Sequence, residues 1–270
     1  ARAADITVRS QGLEELRDGL DLGRAPLRIE CYDISHTQGQ QQVGSMVVFE
    51  DGRAKKADYR HFIVRGPDGQ GVPDDTAAMD EVLRRRLARL AQGAAANDAG
   101  GIEDADTDEG IDGAGTTAGA PRRFAYRPDL LVVDGGLPQV NAAQRVVDEL
   151  AADVRVIGLA KRLEEVWVPG EEFPVIFPRT SPALRLLQQL RDESHRFAIT
   201  FHRKKRGQAM TRSALDSIPG LGPAKQKALL KSFGSVAKIR EATAEELCAV
   251  PGIGPAMAEV IRENLVETPS

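Results

Sequence analysis

Two acidic residues each close an apolar run in this sequence, and that placement can do chemistry. Asp33 lies at the end of residues 27–34 (LRIECYDI), and Asp134 ends residues 129–134 (DLLVVD). A carboxylate at a buried strand is costly unless a cation joins it, and strand ends open onto the crevice where α/β sheets bind ligands. Such oxygens suit Mg²⁺ or Mn²⁺, ions that activate water and stabilise charge on a scissile phosphate. One acid at a strand end is usually a turn or helix cap; the pair points to a metal. His195 ends the segment Arg191-Asp192-Glu193-Ser194-His195. On helical spacing Leu184, Gln188, Arg191 and His195 share a face, which sets Arg191 and His195 over the sheet edge. By residue type alone a lone histidine near a helix C-terminus, as His195 is expected to be, is more often a helix-dipole partner than a catalytic group. Asp75 divides the same way, because Asp74-Asp75 opening a helix is what capping alone produces. His36 is close enough to Asp33 to line the same site, whereas His61 and His202 have no comparable context.

The elements that must position these residues follow from apolar patterning. Residues 27–34, 43–49 and 56–64 read as strands, with the Glu50-Asp51-Gly52-Arg53 turn making the last two a hairpin of an antiparallel meander. Leu27, Ile29, Cys31 and Asp33 share one face by the period of two. A helix is predicted over 74–90, with Arg84, Arg85, Arg86 and Arg89 on its far side. Residues 129–134, a helix from Pro138 to about Leu150, and residues 154–159 form a parallel crossover unit. Residues 165–177 read as a further hairpin. Ser181 as N-cap, Pro182, and the stripe Leu184, Leu187, Leu190 predict a helix running to about His195.

From residue 213 the pattern changes to short helices with an internal repeat. Ser217-Ile218-Pro219-Gly220-Leu221-Gly222-Pro223-Ala224 recurs 32 residues later as Ala249-Val250-Pro251-Gly252-Ile253-Gly254-Pro255-Ala256. Thr243 and Glu246 supply a capping box before the second copy. Each turn lets backbone approach a ligand through its glycines while the next helix presents free N–H groups, an arrangement that binds phosphate. Gly220, Gly222, Gly252 and Gly254, with Lys225 and Lys227 after the first copy, are the candidate contacts to a DNA backbone.

The net charge of −4 argues against nucleic acid until it is mapped. Residues 91–120 hold seven acids and no base, so removing them leaves +3, and their Ala/Gly-rich composition predicts a disordered loop. Residues 196–212 hold six basic side chains and no acid, among them Arg203, Lys204, Lys205 and Arg206. They read as a phosphate-attracting patch or a solvated linker. The expected organisation is a mixed α/β domain over 1–202, a basic linker or hinge over 203–213, and a small all-α domain over 214–270. Cys31 and Cys248 are far apart, without CxxC spacing, so both are expected to be buried small residues. No apolar run nears the roughly 20 residues that span a bilayer, and a cytoplasmic location is expected. A chain that begins at Ala1 is expected to be a piece of a longer protein.

Tyr32-Asp33-Ile34-Ser35-His36, Asp74-Asp75-Thr76-Ala77-Ala78-Met79, Asp134-Gly135-Gly136 with Gln139, and Arg191-Asp192-Glu193-Ser194-His195 resemble the UvrC family, the endonuclease subunit of bacterial nucleotide excision repair. The repeated C-terminal turn is similar to that family's tandem helix-hairpin-helix domain. The resemblance implies an RNase H-like fold, with a mixed sheet flanked by helices, and incision of DNA on the 5′ side of a lesion. It implies a catalytic triad of Asp33, Asp134 and His195, with Asp75 an additional important carboxylate. UvrB is the implied partner of the full-length protein. The family's N-terminal GIY-YIG nuclease, which makes the 3′ cut, and its UvrB-docking region have no counterpart here, so at most the 5′ cut is expected. The competing readings are a non-catalytic module that binds distorted or branched DNA, and an RNA-cleaving enzyme of similar fold.

Overall fold

In the computed structural model, residues 2–37, 41–69, 71–96, 126–160 and 165–266 are described; most of the acidic loop of 91–120 lies outside them. The chain divides into two compact units, Ala1–Ile199 and Thr200–Ser270. The first begins with helix α1 (Arg2–Gly19), which the apolar patterning above did not anticipate. Its Leu13 and Leu16, and Leu20 just beyond, pack into the core at helical spacing.

A seven-stranded sheet follows, in the order β3 (Arg53–Ala54), β2 (Gln41–Glu50), β1 (Arg28–Thr37), β5 (Leu130–Asp134), β6 (Arg155–Leu159), β7 (Val166–Trp167), with β4 (Arg60–Ile63) also paired to β2. Strands β1 (Arg28–Thr37) and β2 (Gln41–Glu50) are antiparallel. Asp51 and Gly52 turn the chain with φ of 50° and 69°, the primed hairpin geometry, into β3 (Arg53–Ala54). Residues 56–64, expected as one strand, instead form a 3-10 turn at Lys56–Asp58 and then β4 (Arg60–Ile63). That turn carries buried Asp58 to Arg28 at 2.9 Å, an ion pair a straight strand would not bring about.

Helix α2 (Asp75–Ala96) starts as expected, with Asp74 Oδ1 accepting from Ala77 N at 2.8 Å, and runs six residues past Leu90. Then β5 (Leu130–Asp134), α3 (Leu137–Glu149) and β6 (Arg155–Leu159) make the parallel crossover, and β7 (Val166–Trp167) edges the sheet. The hairpin expected over 165–177 reduces to β7 and a single bridge between Val166 and Val175. Helix α4 (Pro182–Asp216) is capped by Ser181 Oγ, which accepts from Leu184 N at 3.2 Å. It does not stop at His195, so His195 is not at a helix C-terminus and the dipole reading falls. Residues 203–213, expected as a linker or hinge, have helical backbone within it.

Alternation sorts the sheet into two faces. Ile29, Cys31, Leu130 and Val132 pack against α1 and the Leu184, Leu187, Leu190 stripe of α4. Tyr32, Met46, Leu131 and Val133 pack against α2 and α3. On the second face Arg86 is fully buried rather than on the helix's solvent side; its Nη2 donates to buried Glu30 at 2.7 Å. Among the described residues no helix is long and apolar enough to cross a membrane.

The second unit holds the C-terminal part of α4, α5 (Pro223–Phe233), α6 (Val236–Glu241), α7 (Ala244–Cys248) and α8 (Pro255–Val266). Ile218 and Leu221 of the first repeat, and their counterparts Val250 and Ile253, are all buried in its core. The Thr243–Glu246 capping box is formed, with Glu246 N donating to Thr243 Oγ1 at 3.2 Å. Cys31 is buried as expected, but Cys248 is half-buried.

Candidate functional site

Asp33 and Asp134 become neighbours through strand register. Strands β1 and β5 are parallel, with Tyr32 opposite Val133, so the next residue of each strand is an aspartate; Asp134 ends β5, whereas β1, expected to end near Asp33, runs on to Thr37 because β2 stays paired with it. Both continue the face of Cys31 and Val132, beneath α4. The buried Cys31 thiol is held well above its usual range, first by burial and then by the charges of Asp134 and Asp33. Both carboxylates therefore act on one buried point, and the Ser194 hydroxyl of α4 and the Arg191 charge oppose them there.

Helix α4 brings His195 to the same place, because its leucine stripe seats that face of the helix on the sheet. His195 Nδ1 lies 3.6 Å from Asp33 Oδ2, an ion-pair separation longer than a hydrogen bond. The carboxylate side chain is 7% exposed and the imidazole 56%, which leaves the far side of the ring to solvent. The helix is fastened two residues before His195: Tyr59 donates to Glu193 Oε1 at 3.0 Å, and Arg196 donates to Glu193 as well. These bonds, Arg196 first, hold the Glu193 carboxyl below its usual range, while burial and the Glu193 charge push the Tyr59 phenol up.

Asp75 is placed differently. It opens α2 on the opposite face and makes an ion pair with His36, Nε2 to Oδ1 at 3.6 Å. His36, two residues from Ile34, faces that side too, so it does not share the side of the sheet on which Asp33 lies. Gln42 Nε2 is 3.3 Å from the same imidazole nitrogen. Among the described residues no three His, Cys, Asp or Glu side chains cage a metal on their own. A side-by-side carboxylate pair nevertheless fits a hard cation, since Mg²⁺ is commonly held by one or two carboxylates with substrate phosphate and water completing its shell.

The sheet register also continues the polar row to two residues that sequence patterning did not mark. Asp33 faces Ser45 across β1 and β2, and Ser45 faces His61 across β2 and β4. Period-two alternation could mark the face of each, but no sequence signal told which residue lies opposite which.

The two hairpins of the helical unit repeat one geometry. Gly220 and Gly252 have φ of 76° and 86°, which only glycine adopts at low cost. Leu221 N donates to Ile218 O at 3.2 Å, and Ile253 N to Val250 O at 3.1 Å. Gly222 has an ordinary φ of −70°, and a side chain at Gly222 or Gly254 would meet nothing. Those two glycines leave the surface open where backbone amides begin α5 and α8, which is the approach a phosphate needs. Lys225 Nζ reaches back to Gly220 O at 3.5 Å, and Lys227 is exposed. Arg203 and Arg206 are exposed; the side chains of Lys204 and Lys205 lie outside the described residues.

A family model described as the UvrC RNAse H endonuclease domain matches residues 17–199, and one described as a SAM-like helix-hairpin-helix tandem matches residues 213–267. UvrABC system protein C of Beutenbergia cavernae is 59% identical over 99% of this chain and 40% of its own length. The proteins of the same name from Mycobacteroides abscessus and Kocuria rhizophila are 56% and 57% identical, over 100% and 98% of this chain and 38% and 37% of their own lengths. The chain thus spans about two fifths of the length of these relatives. A crystal structure of Ciona intestinalis Endonuclease V with a 24mer DNA covers 70% of this chain and 69% of its own, at 15% identity and a TM-score of 0.30. The chain belongs to the UvrC RNAse H endonuclease domain family.

Proposed function

We propose that this chain is a metal-dependent DNA endonuclease that makes the incision 5′ of a lesion in nucleotide excision repair, working with UvrB in the full-length protein. The observation that carries the reading is the in-register pair Asp33 and Asp134 on adjacent parallel strands with His195 over Asp33. Two carboxylates side by side repel a phosphodiester unless a cation lies between, which a purely DNA-binding module has no reason to arrange. Mg²⁺ or Mn²⁺ held by Asp33 and Asp134 would supply activation of water and stabilisation of charge at the scissile phosphate. His195, backed by Asp33 at Nδ1, offers its exposed side as a further ligand or as the group that holds and returns a proton. Asp75 supports the site from the other face of the sheet edge. The open glycines of both hairpins, with Lys225, Lys227 and the basic stretch Arg203–Arg206, hold the sugar-phosphate backbone without reading sequence.

The test is nicking of a lesion-bearing duplex by the 270-residue chain in Mn²⁺, and 5′ incision by the full-length protein with UvrB. Asp33→Asn and Asp134→Asn should each lower the rate at least about 100-fold, the equivalent of about 2.7 kcal/mol of transition-state stabilisation. Incision that survives either change, or that proceeds equally in chelator, refutes the assignment. Faster cleavage of an RNA strand than of DNA would move the substrate to RNA.

A further inference from the structure

The row that begins with Asp134 and Asp33 continues, on the same face, into Ser45 and His61. Directly opposed residues on neighbouring strands keep their side chains together, with Cβ atoms about 4.5–5.5 Å apart. Face and register agree independently. Val47 and Phe49, on the same side of β2 as Ser45, pack in the α4 core, whereas Met46 and Val48 pack on the α2 side. Ser45 is 0% exposed and His61 5%.

Ser45 is an expensive residue for this position. Its Oγ is buried and makes no hydrogen bond, although Ala or Val would fill a core position on β2 without stranding a polar atom. Its neighbours explain it. A hydroxyl can accept from one side while donating to the other, and Ser45 has a carboxylate on one side and an imidazole on the other.

His61 is fixed by α4. Its ring stacks on Phe197 with centroids 3.9 Å apart and planes 18° from parallel. Phe197 in turn meets Tyr59 edge-on at 5.1 Å and 68°. Phe197 follows His195 by two residues on the same helix, so one aromatic clamp sets both His61 and the backbone that carries His195.

Building on the nuclease reading above, we propose that Ser45 and His61 are positioning residues of this site: with the divalent cation bound, His61, clamped by Phe197, donates to Ser45, and Ser45 donates to the Asp33 carboxylate, two hydrogen bonds that Ser45 Oγ and His61 Nε2 do not make in this structure. Groups that orient a metal-binding carboxylate are commonly needed for metal affinity at the level of about 10–100-fold. The role is distinct from packing, because what matters is a donor at position 61 and a hydroxyl at position 45.

The experiment titrates Mn²⁺ into the 270-residue chain and its variants, following free Mn²⁺ by electron paramagnetic resonance, with melting temperature recorded in parallel. Ser45→Ala and His61→Phe should each weaken Mn²⁺ binding about 10-fold or more with little change in melting, since phenylalanine keeps the stack on Phe197. His61→Gln, which restores a donor but loses the stack, should bind Mn²⁺ within about threefold of wild type. In nicking assays Ser45→Ala and His61→Phe should raise the half-saturating Mn²⁺ while leaving the rate at saturation nearly intact. Wild-type affinity in both Ser45→Ala and His61→Phe overturns the proposal, as does a normal His61→Phe beside a defective His61→Gln. A wild-type chain that binds no Mn²⁺ also overturns it. A wild-type chain that binds Mn²⁺ yet never cuts nucleic acid refutes the nuclease reading, and the binding comparison still decides the roles of Ser45 and His61.

Discussion

Replacing Arg86 by methionine removes one side of a fully buried ion pair. Arg86 Nη2 donates to Glu30 Oε1 at 2.7 Å and Nε to Oε2 at 3.2 Å, and both side chains are 0% exposed. Arg86 Nη2 also donates to Tyr126 O at 3.0 Å. Methionine fills most of the volume, so the main loss is electrostatic: a carboxylate is left in the core. Breaking a buried pair in this way costs about 3–5 kcal/mol. Two groups soften it here, because Tyr32 still donates to Glu30 Oε2 at 2.7 Å and Arg28 Nη2 lies 3.6 Å from Oε1. The expected loss is therefore near about 3 kcal/mol, or more than a hundredfold in the folded-to-unfolded ratio. Urea unfolding followed by the single tryptophan, Trp167 in the sheet unit, measures it without interference from the helical unit. A control makes the reasoning refutable. Glu30→Gln combined with Arg86→Met should be more stable than Arg86→Met alone, since the stranded charge is gone. A loss under about 1 kcal/mol, or a double variant no better than the single, would show that the charge is not what the core depends on.

Further outcomes follow from the hairpins and from α4. Gly220→Ala and Gly252→Ala force a side chain into the left-handed region and should each cost about 1–2 kcal/mol in thermal or urea unfolding of the helical unit. Gly222→Ala, at an ordinary φ and facing open space, should leave stability within about 0.5 kcal/mol yet weaken binding of duplex DNA about tenfold by fluorescence anisotropy at fixed salt; unchanged affinity argues against phosphate approach there. The depressed Glu193 carboxyl contributes stability that is full above its ordinary value of 4.5 and lost as pH falls through its lower folded value. Glu193→Gln should accordingly be less stable than wild type at neutral pH, by at most about 1 kcal/mol because its partner Arg196 is exposed and solvent screens the pair, with the gap closing in acid; melting temperature against pH measures it.

Local signals carried much of this structure. Acids closing apolar runs marked Asp33 and Asp134, Asp51-Gly52 marked a turn that has primed geometry, and the 32-residue repeat marked two hairpins whose equivalent residues share one core. What was missed depended on distant partners. Arg86 reads as a solvated helix charge until Glu30, 56 residues earlier, is placed beside it. Lys56–Asp58 leaves the strand to bring Asp58 to Arg28, and nothing in a local window announces that pairing. Helix α4 continues past His195 with Phe197 still packed on the sheet unit and Ala198 buried, and then through a stretch rich in Arg, Lys, Gln, Ala and Met, which favour helix by intrinsic propensity. Ser45 and His61 escaped for a further reason: alternation tells which face a residue takes, but register is fixed only when strands pair.

Register also explains why the acidic residues fall on two faces without being far apart along the strands. Asp33 and Asp134 continue the α4 face, whereas Asp75 and His36 belong to the α2 face, joined at 3.6 Å. The division ends where the strands end. His36 lies near the end of β1, Asp75 begins α2, and Gly135-Gly136 lead from β5 into α3, so the first turns of two helices open at the carboxyl edge that bears all three carboxylates. A helix N-terminus favours nearby negative charge by about 0.3–1 kcal/mol. Two of them at one edge lower the cost of gathering acids there, and in the proposed nuclease they would likewise favour a phosphate beside those acids.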